Sequence, residues 1–221
     1  MPRTRYVRKL KELRQDVIDM GAITSQSVQD ALAALETSNT ALAEHVIAND
    51  DKIDNFDRKI EAQCMTLLAL EQPMAKDLRV IATSLKMITD LERIGDFTVD
   101  IAEEIVTMAK PIRIPISASK FNELVADVKS MVADSIETYA QGNVERARTF
   151  EARDDRIDFL YKDIVGSMIN ALAQGKCSTE TVSDVASLLY IIRYLERIAD
   201  HAVNIGNRVC YMEEGERRYL K

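Results

Sequence analysis

The amino-acid sequence predicts an all-α fold, organised as two pseudo-symmetric antiparallel three-helix bundles. Three observations carry that expectation. Only 7 Gly and 4 Pro occur among 221 residues, too few for the many corners of a sandwich or barrel. The chain is 47% hydrophobic but only 5% aromatic, enough apolar matter to bury a core at this length. It also repeats itself at an offset of 104 residues: Asn49-Asp50-Asp51-Lys52-Ile53-Asp54 matches Arg153-Asp154-Asp155-Arg156-Ile157-Asp158, and Leu91-Glu92-Arg93-Ile94-Gly95-Asp96 matches Leu195-Glu196-Arg197-Ile198-Ala199-Asp200. Two separated matches in one register, continued by Val99/Val203 and Ile101/Ile205, mark a duplicated half-chain.

The breakers divide each half into three helices. In the first half these run from Arg8 to Glu36, Ala41 to Leu70 and Met74 to Met108, with turns at Thr37-Ser38-Asn39-Thr40 and Gln72-Pro73. In the second they run from Ser119 to Tyr139, Val144 to Ala173 and Thr179 to Met212, separated by Gln141-Gly142-Asn143 and Gln174-Gly175-Lys176. Short connections between long helices force antiparallel neighbours, so each half is expected to run up, down and up; one continuous six-helix bundle is the alternative. Between the halves lies Lys110-Pro111-Ile112-Arg113-Ile114-Pro115, whose prolines forbid a continuous helix. The expected organisation is therefore residues 1–109, a linker at 110–118, and residues 119–221.

Charge and composition exclude several functions. With 29 Lys+Arg against 36 Asp+Glu the net charge is −7 and the pI is near 5.0, so nucleic acid is not an expected partner, since its binding is driven by cationic side chains. Cys64, Cys177 and Cys210 form neither a CxxC pair nor an even disulfide framework, and read as thiols in a reducing compartment. No signal-type apolar run occupies Met1 to Leu13 and nothing reaches membrane-span length, so a soluble, cytoplasmic protein is expected. The basic N-terminal arm, with Arg3, Arg5, Arg8 and Lys9, reads as a frayed, solvated terminus, with contact to a partner or to anionic lipid heads as the alternative.

The carboxylates follow helical geometry. In the third helix Met87, Leu91, Ile94, Thr98, Ile101 and Ile105 form an apolar stripe, and Glu92, Asp96, Asp100 and Glu103 fall nearly opposite it. In the second helix Asp50, Asp54, Asp57 and Glu61 lie within about 60° of one another, beside the apolar face of Ile53, Phe56 and Ile60. Like charges one turn apart repel. Antiparallel packing of these helices brings the two stripes to one outer groove, a cluster of oxygen donors suited to Fe, Mn, Mg or Ca. A solvated acidic face with Arg93 and Lys52 as counter-charges is the other reading. The second half keeps Asp154, Asp158, Glu196 and Asp200 but has Tyr161, Val165, Asn204 and Asn207 where the first has Asp57, Glu61, Asp100 and Glu103, so any metal there is expected to bind more weakly.

The remaining candidates are weaker. Neither His45 nor His201 completes a Glu-x-x-His pair, which argues against di-iron oxidase chemistry; His201, next to Asp200, is either an extra nitrogen ligand or an ordinary surface or interface histidine. There is no phosphate-binding Gly-rich loop, nucleophile elbow or His-Glu-x-x-His helix. The nine methionines read as core filler.

Several segments together resemble the hallmarks of the phosphate-uptake regulator (PhoU) family. They are Met20-Gly21, Val46-Ile47-Ala48-Asn49-Asp50 leading into Ile53-Asp54, Gln72-Pro73-Met74-Ala75-Lys76-Asp77-Leu78-Arg79, Leu85-Lys86-Met87, Asp90-Leu91-Glu92-Arg93-Ile94-Gly95-Asp96, and Leu195 through Ile205. They occur in order across nearly the whole chain. The resemblance implies two three-helix bundles, a cytoplasmic homodimer, and restraint of the phosphate-starvation response when phosphate is plentiful. The partners it implies are the ATPase of the phosphate ABC transporter and the phosphate-sensing histidine kinase. It further implies multinuclear iron or zinc clusters, with manganese or magnesium as other candidates, held by paired motifs that map onto Asp50/Asp54, Glu92/Asp96, Asp154/Asp158 and Glu196/Asp200, with Asp96/Asp100 extending the first set. Phe97-Thr98-Val99-Asp100 departs from the family's small residue followed by Asn, as in Ala202 and Asn204, which leaves the first cluster's stoichiometry open. The expected function is thus a non-catalytic regulator; a metal-dependent enzyme acting on phosphate compounds and a purely structural helical module are the competing classes.

Overall fold

Two corners 104 residues apart set the path of the chain. Ser38 (φ 52°) and Gly142 (φ 64°) both take the left-handed conformation, and each is followed by an asparagine. The backbone N–H of Asn39 reaches back to the Ala34 carbonyl at 2.9 Å, and that of Asn143 to the Thr138 carbonyl at 3.1 Å. Their side-chain oxygens then accept from the Leu42 N–H at 3.1 Å and the Arg146 N–H at 3.0 Å. One residue pair thus closes a helix and caps the next, satisfying orphan groups of both.

The structure, a computed structural model, describes residues 3–108, 118–174 and 179–215, and all regular structure among these residues is helical. The proposed linker segment Lys110–Pro115, the turn residues Gly175 and Lys176, and Cys177 lie outside the described residues. In chain order the helices are α1 (Arg3–Thr37), α2 (Thr40–Ala48), α3 (Asp51–Glu71), α4 (Ala75–Thr107), α5 (Ala118–Gln141), α6 (Val144–Ala147), α7 (Phe150–Ala173) and α8 (Thr179–Glu214). None is long and apolar enough to cross a membrane among the described residues.

The basic arm enters α1 at Arg3, with Arg5 and Arg8 exposed to solvent. One expectation needs correction. The middle helix of each half, expected as Ala41–Leu70 and Val144–Ala173, is broken in two. At Asn49 the side-chain Nδ2 donates to the His45 carbonyl at 2.6 Å while its N–H turns to Val46 at 3.1 Å. At Thr149 both the hydroxyl (2.8 Å) and the N–H (3.0 Å) take the Arg146 carbonyl. In both cases a short polar side chain offers the backbone a tighter bond than the helix does, and the rod bends. The rods nevertheless run up, down and up in each half, as expected.

The two bundles join along α4 and α8, which make the most extensive contact between helices, and one continuous apolar core spans both halves. The crossing is antiparallel: Lys76 meets Glu213 (2.8 Å), the Arg79 guanidinium meets the Met212 carbonyl (3.2 Å), Asp90 meets His201 (3.0 Å), and the Phe97 ring stacks on Tyr194 (5.8 Å between centroids). Leu91, Ile94, Leu195 and Ile198, from the two copies of the Leu-Glu-Arg-Ile repeat, sit fully buried at its midpoint.

The repeat places Asp90 opposite His201 and, by its 104-residue shift, Tyr194 opposite Phe97, so the seam is polar on one side of the pseudo-two-fold and aromatic on the other. Asp90 is only 4% exposed. It accepts from Asn204 Nδ2 at 3.3 Å, faces the Arg208 guanidinium at 3.5 Å and pairs with the His201 ring. A carboxylate so buried persists only with such partners.

Two stability outcomes follow from this geometry. Ser38→Gly removes the cost of a left-handed non-glycine and is expected to stabilise the protein by about 0.5–1 kcal/mol in urea titration. Asp90→Ala leaves Arg208 and Asn204 without their carboxylate and is expected to cost about 2–3 kcal/mol; an unchanged urea midpoint would show that the seam does not depend on it.

Candidate functional site

Gly95 lets the first acidic groove form. A Cβ on Gly95 would lie 2.9 Å from Ile53 Cδ1 and 3.9 Å from Asp50 Oδ1, so the absence of a side chain allows the first turn of α3 to press against α4 with Asp50 at the contact. The carboxyl groups that gather here come from the N-cap of α3 (Asp50), from α3 itself (Asp54, Asp57) and from α4 (Glu92, Asp96). Burial, then Asp54 and Asp96, raises the pKa of Asp50 above the usual carboxylate range. Burial, then Asp96, and more weakly Asp57 and Asp54, does the same for Glu92, with Arg93 opposing. Burial, then Glu61 and Asp54, raises Asp57. Charge therefore acts across the α3–α4 groove from Asp96 on Asp50 and from Asp57 and Asp54 on Glu92.

Asp100 stands apart from them. After burial, the charges acting on it are Glu103, Asp96 and Glu104, all of its own helix, and burial, then Asp100 and Glu104, raises the Tyr194 hydroxyl across the seam. It belongs to the aromatic side of the α4–α8 crossing rather than to the α3 carboxylates.

In the second half the four expected residues converge between α7 and α8. Asp154 is the most perturbed: burial, then Asp200, Asp158, Glu196 and Asp155, pushes it up to about 7. Glu196 is raised by burial and Asp200, against Arg193 and Arg197. Asp154 and Asp200 line a cavity of about 320 Å³ with Arg197, His201, Asn204 and Asn207. His201 contributes a wall there, but its Nδ1 is given to Asp90. The histidine is thus an interface residue on that nitrogen.

Each acidic pair carries its own arginine. Arg93 bridges Glu92 (3.7 Å) and Asp96 (2.9 Å), and 104 residues later Arg197 bridges Glu196 (3.8 Å) and Asp200 (3.5 Å). Arg58 lies 3.9 Å from Asp54, and Lys162 holds Asp158 at 2.9 Å. Lys52, expected as a counter-charge, instead lines a hollow towards α1 with Ile23 and His45. Among the described residues no group of three or more His, Cys, Asp or Glu side chains is arranged to hold a metal ion. The donor set is nevertheless all-oxygen, crowded and partly desolvated, which suits a hard or borderline cation. Such a cation would replace Arg93 and Arg197 as the charge that relieves the crowding. Cys64, free and buried, has its thiol pushed up to about 12 by burial and offers no thiolate.

Asp90 was not among the expected site residues, although its signal is visible: three residues after Met87 and four before Ile94, it puts a carboxyl on the apolar stripe itself. Only the repeat-to-repeat contact supplies its partners.

The comparisons with known proteins follow the same duplication. The family model described as PhoU domain matches residues 17–105 and 121–209, two segments with the same 104-residue offset. A phosphate-specific transport system accessory protein PhoU homolog of Clostridium acetobutylicum is 34% identical, the alignment covering 98% of this chain and 97% of that protein. A PhoU homolog 1 of Thermotoga maritima is also 34% identical, over 96% and 90%. Among solved structures, PhoU from Pseudomonas aeruginosa superposes with a TM-score of 0.89 at 29% identity, covering 96% of this chain and 100% of that one. The phosphate transport system regulatory protein PhoU from Streptococcus pneumoniae gives 0.87 at 28% identity, covering 96% and 99%.

The perturbed Asp154 has a pH signature. Its folded pKa lies above its ordinary value of 3.8, so the folded state binds the proton more tightly than the unfolded chain. The stability it contributes is full below about 4 and is lost as pH rises through about 7. In metal-free protein, Asp154→Asn is therefore expected to gain on wild type in melting temperature between pH 4 and pH 7.5, and parallel pH profiles would contradict the crowding.

Proposed function

The chain belongs to the PhoU family, an accessory and regulatory protein of phosphate transport rather than an enzyme, and on that premise we propose that it restrains phosphate-starvation signalling and high-affinity phosphate uptake when phosphate is plentiful. Its partners in this reading are the ATPase of the phosphate ABC transporter and the phosphate-sensing histidine kinase, and it acts in the cytoplasm as a homodimer. The observation that carries the reading is the duplicated acidic groove. Two copies of a Glu-Arg-x-x-Asp segment at the same repeat register, each facing acids of the neighbouring helix, suit a protein that responds to ions rather than one that turns over substrate.

Metal enters this reading as a structural charge. Asp50, Asp54, Asp57, Glu92 and Asp96 would hold it in the first half, and Asp154, Asp158, Glu196 and Asp200 in the second; Asp100 would join only from the seam side. Iron or zinc suits these donors, as do manganese and magnesium. A bound cation supplies positive charge that cancels carboxylate repulsion, fixing α3 against α4 and α7 against α8. The chain's own residues do the rest: Gly95 permits the approach, and Arg93 and Arg197 hold the carboxylates when no cation does. The first groove, with more acids, is the tighter of the two in this reading.

The test is a phosphate-starvation reporter in phosphate-replete cells lacking the gene, complemented with wild type or with Glu92, Asp96, Glu196 and Asp200 all changed to Ala. Deletion is expected to derepress the reporter, wild type to restore repression and the folded variant to fail. Full repression by the variant would make the grooves dispensable, and a silent reporter on deletion would remove the regulatory reading itself.

A further inference from the structure

One end of the first bundle carries an apolar tip with a cationic collar. Met74 (80% exposed), Leu70 (62%), Leu78 (43%) and Val7 (42%) project there from the α3–α4 connection, the first turn of α4 and the start of α1. These segments meet: Tyr6 lies against Asp77 and Glu71, and Lys9 and Glu12 line a hollow with Ala62 and Thr66 of α3. Large apolar side chains this exposed, three of them (Leu70, Met74 and Leu78) one every four residues through the connection, mark an interaction surface.

Charge is segregated at the same end. Arg5, Arg8, Lys9 and Lys11 follow one another with no acid before Glu12, in a chain whose net charge is −7, and Arg5, Arg8 and Lys11 are exposed. The nearby acids are occupied: Glu12 pairs with Arg8 at 3.4 Å, Glu213 pairs with Lys76 at 2.8 Å, and Asp77 and Glu71 are half-buried against Tyr6. Arg5 and Lys11 remain as exposed cations on α1.

We propose that this tip docks on the headgroup region of an anionic phospholipid membrane, with Leu70, Met74 and Leu78 entering the interface and the α1 cations engaging lipid phosphates. A second copy is disfavoured as occupant because tip-to-tip pairing would bring two cationic collars together. The 33-residue α4 extends about 50 Å from this end, so docking here leaves both acidic grooves clear of the bilayer. The inference goes beyond the regulatory reading and is tested without it.

The experiment is co-sedimentation of the purified full chain with vesicles of phosphatidylcholine alone or mixed with phosphatidylglycerol. Binding is expected to the mixed vesicles only, and to fall steeply with added salt. Leu70→Ser with Met74→Ser is expected to weaken it roughly tenfold, and the quadruple Arg5→Gln, Arg8→Gln, Lys9→Gln, Lys11→Gln variant roughly a hundredfold. Helical circular dichroism checks that both variants fold, and the wild-type salt dependence stands independently of them. No binding to mixed vesicles, equal binding to both kinds, or folded variants that bind like wild type would overturn the proposal. So would self-association abolished by the apolar variant in the absence of vesicle binding, which would make a second copy the occupant.

Discussion

The antiparallel packing of α4 against α8 is the contact on which the rest of the molecule depends. Every other helix of a half packs around one of these two, and each acidic groove uses one of them as a wall. Because the two helices are related by duplication, the seam is made of two images of one contact, and the sequence has filled the images differently. One holds a buried carboxylate whose Oδ1 is bonded to imidazole and amide and whose Oδ2 faces a guanidinium at 3.5 Å; the other holds stacked rings flanked by acids. Burial on both sides of a shared core then locks the register, since a slip of one turn would strand Asp90 among apolar side chains.

Much of this was legible in the sequence because repetition and helical period act over long stretches. The 104-residue offset, the six rods, the corners at Ser38-Asn39 and Gly142-Asn143, and the gathering of Asp50, Asp54, Asp57, Glu92 and Asp96 follow from spacing alone. What escaped depends on contacts that spacing does not report. The breaks at Asn49 and Thr149 come from single side-chain bonds to the backbone, which compete with the helix by small margins. Asp100 is in phase with Asp96 along α4, but it sits where the helix leaves α3 and meets α8. Asp90 looked like part of a motif and is instead the polar anchor between the halves.

The arginines explain how the grooves tolerate their own charge. A row of partly desolvated carboxylates repels itself, and Arg93 and Arg197, each reaching one residue back and three residues on, screen the row from within the same helix. They are roughly half exposed, so their pairing is weak and exchangeable. A groove built this way has its carboxylate charge screened by a side chain of the same helix, while its oxygens stay partly exposed.

The asymmetry of the seam also bears on ancestry. If the chain arose from a symmetric pair of identical units, each unit once had to satisfy both sides of the crossing with one set of residues. That interchangeability is gone. Two copies of the first half would set Asp90 against Phe97, and two copies of the second would set Tyr194 against His201; only the mixed pairing matches acid to imidazole and ring to ring. The duplication has thus diverged at its own seam, each half supplying there what the other lacks.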